Sequence, residues 1–156
     1  MEKTYRIEFN ENQLRVIAEA CEFMSRFTSG QLDYFPKSFE KWLWDKYPDV
    51  SEFCERRDKW KEGLLMTKEA LFFEFGRGNG SYAIGSTEQV ESAKTCYDIY
   101  RPILEQLHKD YEEEHPNETK HYGVLSHPGL SYSVDGRISI EKVNTRTEKL
   151  KKLTEE

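Results

Sequence analysis

The chain has little that fixes a function at sight. Its 156 residues include three cysteines, Cys21, Cys54 and Cys96, with no Cys-x-x-Cys pair. An odd and dispersed set excludes a disulfide framework and a four-cysteine zinc site, and each thiol falls among apolar residues of an expected helix, where cysteine behaves as a small hydrophobe. No apolar run approaches the roughly 18 residues needed to cross a bilayer, so no membrane-spanning helix and no membrane partner are expected. Met1-Glu2-Lys3-Thr4-Tyr5-Arg6 leads straight into an alternating pattern rather than an apolar signal segment, which places the protein in the cytoplasm by expectation. A basic excess is missing too: 23 Lys and Arg face 29 Asp and Glu, a net charge of −6. That balance argues against a general coat on nucleic acid, which needs a positive field to meet phosphates. Catalytic signatures are absent: there is no serine elbow, no His-Glu-x-x-His and no phosphate loop ending in Gly-Lys-Ser/Thr. No cofactor is expected, and an enzyme is not the favoured class.

What is present is aromatic. Hydrophobic residues make up only 37% of the chain, but 9 Tyr, 9 Phe and 3 Trp supply large rings. Such rings bury much area per residue, so one core is within reach of a chain this long without a staple. Tyr5, Phe9, Phe27, Phe53 and Trp60 are the expected core aromatics. The reading is a single domain over residues 1–143, with a charged tail over 144–156 that frays or forms a short surface helix.

Alternation of Tyr5, Ile7 and Phe9 with polar neighbours predicts a half-buried strand. Asn10 with Gln13 then forms a capping box for a helix over 11–29, closed by Gly30. Residues 31–50 predict a loop and a short helix over about 38–46. Ser51 is the expected cap of a third helix with Phe53, Trp60, Leu64, Leu71 and Phe75 on its inner stripe, and Gly63 as a weak point. The stretch 76–86, with glycines at 76, 78, 80 and 85, predicts a loop. Ser86 with Gln89 predicts the cap of a last helix running to about 113, which Pro102 should kink or split. Residues 122–125 predict a short strand. Leu130–Val143 predicts a hairpin with a Val134-Asp135-Gly136 loop, Gly136 left-handed and Tyr132 opposite Ile138. The fold class expected is therefore α+β: an N-terminal strand and a C-terminal β-hairpin form a small antiparallel sheet packed on three to four helices.

All four histidines, His108, His115, His121 and His127, fall in one window, with Glu112 one turn after His108. Their spacing matches no zinc pattern, and no metal site is expected.

Three segments carry a likeness: Ser25-Arg26-Phe27-Thr28-Ser29-Gly30-Gln31, Ser81-Tyr82-Ala83-Ile84-Gly85, and Ala93 to Arg101 with Tyr97-Asp98-Ile99-Tyr100-Arg101 at its centre. In this order and spacing the chain resembles a group of small accessory proteins of tailed bacteriophages and prophages, in patches over about residues 3–143. The resemblance implies a phage origin and the cytoplasm of an infected bacterium more than it implies an activity.

The residues singled out for binding are Arg26, Gln31, Arg77, Tyr82, Tyr100 and Arg101. Arg26 beside Gln31 offers a planar donor fork and an amide, suited to a phosphate and a base edge. The alternative is an arginine that merely complements a helix C-terminus. Arg77 and Tyr82 lie in the glycine loop, where backbone amides can cradle an anion and a ring can stack on a base. Tyr100 and Arg101 sit one turn from Tyr97, a stripe that serves a core as readily as a ligand, and Asp98 is expected on the surface beside Lys94. The function these features suggest is an anti-defence accessory protein that sequesters a nucleotide immune signal of the cyclic dinucleotide or cyclic ADP-ribose type. The alternatives are a protein–protein inhibitor of a host defence enzyme using Trp42, Trp44 and Tyr47, a nucleotide-degrading enzyme, and a phage module with no ligand site. A homo-oligomer is compatible with each.

Overall fold

A computed structural model describes residues 5–34, 36–117 and 131–142, and among them the fold is four helices with no strand: α1 (Glu11–Thr28), α2 (Lys37–Lys46), α3 (Val50–Leu71) and α4 (Glu91–Glu114). The expected strand at 122–125, the tail at 144–156, His121 and His127 lie outside the described residues.

α1 begins where the capping box puts it. The Asn10 side chain accepts the Gln13 N–H at 2.9 Å and the Gln13 side chain accepts the Asn10 N–H at 2.9 Å. Its end is equally local. Gly30 takes φ +80°, its N–H meets the Phe27 carbonyl at 3.1 Å, and the Gln31 N–H meets the Arg26 carbonyl at 2.8 Å, which together close the helix in a left-handed C-terminal turn. α1 packs against α4. Ala18, Tyr100, Ile103 and Leu107 form the buried heart of that contact, flanked by Leu14, Ile17, Cys21, Tyr97, Ile99, Leu104 and Ile140.

α2 and α3 pair with one another instead. Asp49, not Ser51, caps α3, with its side chain accepting the Glu52 N–H at 2.9 Å. Phe39 stacks near Trp42 and Trp60, and Trp44 meets Phe53 edge-on. Of the 22 residues in α3 only Phe53 and Lys68 are buried, so the inner stripe read from the sequence is only partly inward. The expected core aromatics divide in the same way: Phe53 is buried, Phe27 and Trp60 are half-buried, and Tyr5 and Phe9 are exposed.

The α+β expectation is wrong for a physical reason. Tyr132 and Ile138, which a hairpin would pair, both give their backbone N–H groups to Asp98 of α4. Tyr132 and Ser133 donate their amides to the Asp98 carboxylate at 3.0 and 2.7 Å, and the Ser131 and Ser133 hydroxyls donate to it at 3.0 and 2.7 Å. Gly136 does take the left-handed conformation, φ +76°, in a turn closed by its N–H on the Ser133 carbonyl. The arms beyond that turn form no ladder, and Tyr5 to Phe9 form none either.

Pro102 does not split the last helix, because α4 runs unbroken from Glu91 to Glu114. The Ser86–Gln89 cap is also displaced. α4 starts at Glu91, and the Gln89 side-chain amide instead donates to the buried Ser29 hydroxyl at the end of α1.

Candidate functional site

The end of α1 and the loop after α3 build a polar junction. Glu22 and Arg26, one turn apart on α1, pair at 2.9 Å, and Arg26 Nη1 donates to Gln31 Oε1 at 2.9 Å. The turn at Gly30 is what brings Gln31 back over Arg26. The Gln31 amide reaches Ser81 Oγ at 3.4 Å, across fifty residues of chain. Tyr34 completes the group: its hydroxyl donates to Glu22 Oε2 at 3.0 Å and its ring lies 4.6 Å below the Arg26 guanidinium. Burial, reinforced by the charge and hydrogen bond of Glu22, pushes the Tyr34 hydroxyl well above its usual range. Tyr34 and Glu22 are functional-looking partners the sequence reading missed; the four-residue spacing of Glu22 and Arg26 was the available signal.

The glycine loop is ordered around a cation of its own. Lys68 of α3 is 2% exposed, and its ammonium donates to the carbonyls of Gly78 and Gly80, each at 2.6 Å. Two loop carbonyls therefore face inward onto a positive charge, the reverse of the amide cradle expected for an anion. Arg77 turns back to α3 and pairs with Glu62, with Glu69 at 3.9 Å. The Tyr82 hydroxyl donates to Glu74 and its ring packs edge-on against Phe75 at 4.9 Å, while its backbone N–H meets the Ser29 carbonyl at 2.9 Å. Gly80 and Gly85 are close approaches. A Cβ on Gly80 would lie 2.8 Å from the Phe75 ring, and one on Gly85 would lie 3.0 Å from the Tyr132 ring.

Tyr100 and Arg101 are core residues. Tyr100 is buried against α1, and burial with the nearby Glu22 charge raises its hydroxyl to about 12, Arg26 acting the other way. The Arg101 side chain is 7% exposed, with Nη2 3.9 Å from Glu105 and the guanidinium 5.9 Å from the Tyr97 ring. Asp98, expected on the surface with Lys94, is fully buried and holds the 131–138 segment. Lys94 pairs with Glu91 at 4.0 Å instead. A signal for Asp98 existed in its position four residues before Pro102.

The structure thus gathers Arg26, Gln31 and the backbone of Tyr82 at one junction, sets Tyr100 within electrostatic reach of it, and places Arg77 on the α3 side and Arg101 in the core. None of the six lines the groove of about 810 Å³ that runs between Phe9, Leu14 and Ile17 on one side and Ile103, Leu107 and Ile140 on the other. Among the described residues no group of three or more histidine, cysteine or acidic side chains gathers to hold a metal; His108 pairs with Glu112 at 3.2 Å and His115 stacks on Tyr111. No described helix is long and apolar enough to cross a membrane.

The fold and site define a helical protein with a polar junction, an exposed two-helix hairpin and an apolar groove. No protein-family model, no curated protein and no solved structure matches the chain.

Proposed function

We propose that this protein is an accessory factor of the bacteriophage type, that it counters a host defence by binding rather than by catalysis, and that it binds a host protein through the α2–α3 hairpin. The observation that carries this reading is the exposure of Trp42 and Trp44, 48% and 43%, on a short helix whose only buried residue is Leu43. Val50 and Met66 of α3 are exposed as well. Tryptophan is the side chain most often found at the energetic centre of a protein–protein contact, and large rings left in water at the surface gain most by being covered. The charges on residues 37–71 balance, eight of each sign, so the surface offers aromatic contact rather than a field of one sign. The phage setting rests on the sequence resemblance. In the test, tagged protein and a Trp42→Ala/Trp44→Ala variant are presented to lysate of the candidate bacterium. A partner retained by the parent and lost by an equally folded variant supports the reading. Equal retention by both overturns it.

A second reading is sequestration of a nucleotide signal at the α1 junction. It is favoured by the Arg26–Gln31–Ser81 juxtaposition, with the Arg26 side chain still 36% exposed over the Tyr34 ring. A phosphate there would have to compete with Glu22 for the guanidinium. Calorimetry with cyclic dinucleotides and cyclic ADP-ribose, and mass spectrometry of molecules released from purified protein, test it. Silence in both removes it.

A further inference from the structure

Residues 5–9, which lead into α1, and residues 138–142, which follow the Gly136 turn, both line the α1–α4 groove and run without a turn or bend. The second run is anchored at its two ends. The Ile138 N–H meets the Asp98 carbonyl at 3.4 Å, and the Lys142 ammonium meets the Asp110 carboxylate at 3.0 Å. Those anchors lie twelve residues apart on α4, a rise of about 18 Å. Four extended residues cover about 13 Å, and the lysine side chain closes the rest, so this run is close to fully stretched along the helix. Between the anchors its main chain is open: among the described residues, no hydrogen bond engages the backbone of residues 139–141, nor that of residues 6–9. In an extended run, alternate residues turn their N–H and C=O to opposite edges. With Ile138 bonded to α4, Ser139 and Glu141, both exposed, present theirs on the other edge.

We propose that this groove takes one extended peptide segment of a partner protein, apolar at alternate positions and basic between them, which adds as a strand to the open edge at Ser139 and Glu141. Apolar contact is on offer, since Ile7, Phe9 and Ile138 are exposed beside a floor of Ile17, Ile103 and Leu107. The volume, about 810 Å³, falls within the span of ligand clefts. Charge selects the basic sequence. Carboxylates outnumber cations five to three among the lining side chains. Arg15 already pairs with Glu11 and Lys142 with Asp110, which leaves Glu8, Glu114 and Glu141 against Arg6 alone. Main-chain pairing would supply affinity, and the rim carboxylates with the apolar floor would supply selectivity. The surface belongs to the α1–α4 unit and does not rest on the α2–α3 hairpin.

The probe is a capped, fluorescein-labelled eight-residue peptide of alternating lysine and valine, titrated into the full chain by fluorescence anisotropy. Its control carries glutamate in place of lysine. The lysine peptide should bind at least tenfold tighter than the control, and more weakly as salt rises. Glu8→Lys/Glu141→Lys, two exposed positions, should weaken it at least tenfold, while Trp42→Ala/Trp44→Ala binds it as the parent does. In the complex the amides of Ser139 and Glu141 should exchange at least tenfold more slowly. Absent binding, equal binding of the glutamate peptide, or unchanged exchange at Ser139 and Glu141 overturns the proposal. A parent chain that sediments as a dimer, and that Glu8→Lys/Glu141→Lys turns into a monomer, would put a second copy in the groove and overturn it too.

Discussion

The main-chain carbonyl of Asp98 accepts the backbone N–H of Ile138 at 3.4 Å. In an uninterrupted helix that carbonyl would take its proton from residue 102, and residue 102 is proline, which has none. The missing donor is supplied by a segment thirty-six residues further on. The same residue's carboxylate gathers the amides of Tyr132 and Ser133 and the hydroxyls of Ser131 and Ser133. Asp98 and Pro102 together are why the 131–138 segment lies along α4 rather than folding on itself as a hairpin.

Asp98→Ala leaves these partly buried donors without their acceptor and should cost about 2 kcal/mol in urea unfolding. Burial by itself pushes the Asp98 carboxyl up, but the hydrogen bonds from Ser133, Tyr132 and Ser131 outweigh it and the net direction is down. A carboxyl lowered in the folded state contributes stability that is complete above its unfolded value, near pH 4, and is lost as pH falls through the lower folded value. The stability gap between the parent and Asp98→Asn should therefore be level from pH 5 to 7 and narrow below about pH 4. A gap that widens in acid would contradict the assignment.

Pro102→Ala restores an amide that can return to the Asp98 carbonyl. The helix gains a donor while Ile138 loses its acceptor, so the net change in stability should stay within about 1 kcal/mol. Hydrogen exchange separates the two effects: the Ile138 amide should exchange several-fold faster, with the rest of α4 as protected as before. Unchanged exchange at Ile138 would show that the carbonyl is not what holds it.

How much of this was legible from the sequence depends on distance along the chain. α1 was readable to within a residue because Asn10, Gln13 and Gly30 are local signals, each acting within a turn of itself. α2 followed from its apolar spacing. The sheet was misread because alternation at Tyr5–Phe9 and around Asp135-Gly136 states only that a segment is extended, not what takes its hydrogen bonds. Lys68 and Gln89 carried no local signal of burial, and Asp98 only its place four residues before Pro102; each is satisfied by partners ten to sixty residues away. At the candidate site, Arg26 and Gln31 were found together because the Gly30 turn joins them, whereas Arg77 and Tyr82 were grouped with them only by lying in the same glycine-rich stretch.

Two glycines should respond in opposite directions to the same change. Gly63 sits inside α3 with nothing within 4 Å of the place a methyl would occupy, so Gly63→Ala should stabilise by up to about 1 kcal/mol through lost freedom in the unfolded chain. Gly80→Ala drives a methyl against the Phe75 ring and should destabilise by about 1–3 kcal/mol. Thermal unfolding of the pair checks both signs, and a stabilising Gly80→Ala would mean the loop does not pack on Phe75.

Lys68 gives the sharpest test of how the glycine loop is held. Its ammonium sits beneath the loop with the Gly78 and Gly80 carbonyls as acceptors and the Phe75 ring at 6.0 Å. Methionine has nearly the same reach and an apolar end, so Lys68→Met keeps the packing and removes only the donors. Both carbonyls then have to turn to water, and the segment 76–81 should exchange its amides faster. The cost should be about 2 kcal/mol, while the α1–α4 core keeps its protection because its contacts do not pass through Lys68. If Lys68→Met were as stable as the parent and its loop no more open, the buried ammonium would be a passenger, and the loop's shape would have to come from Phe75 and Tyr82 alone.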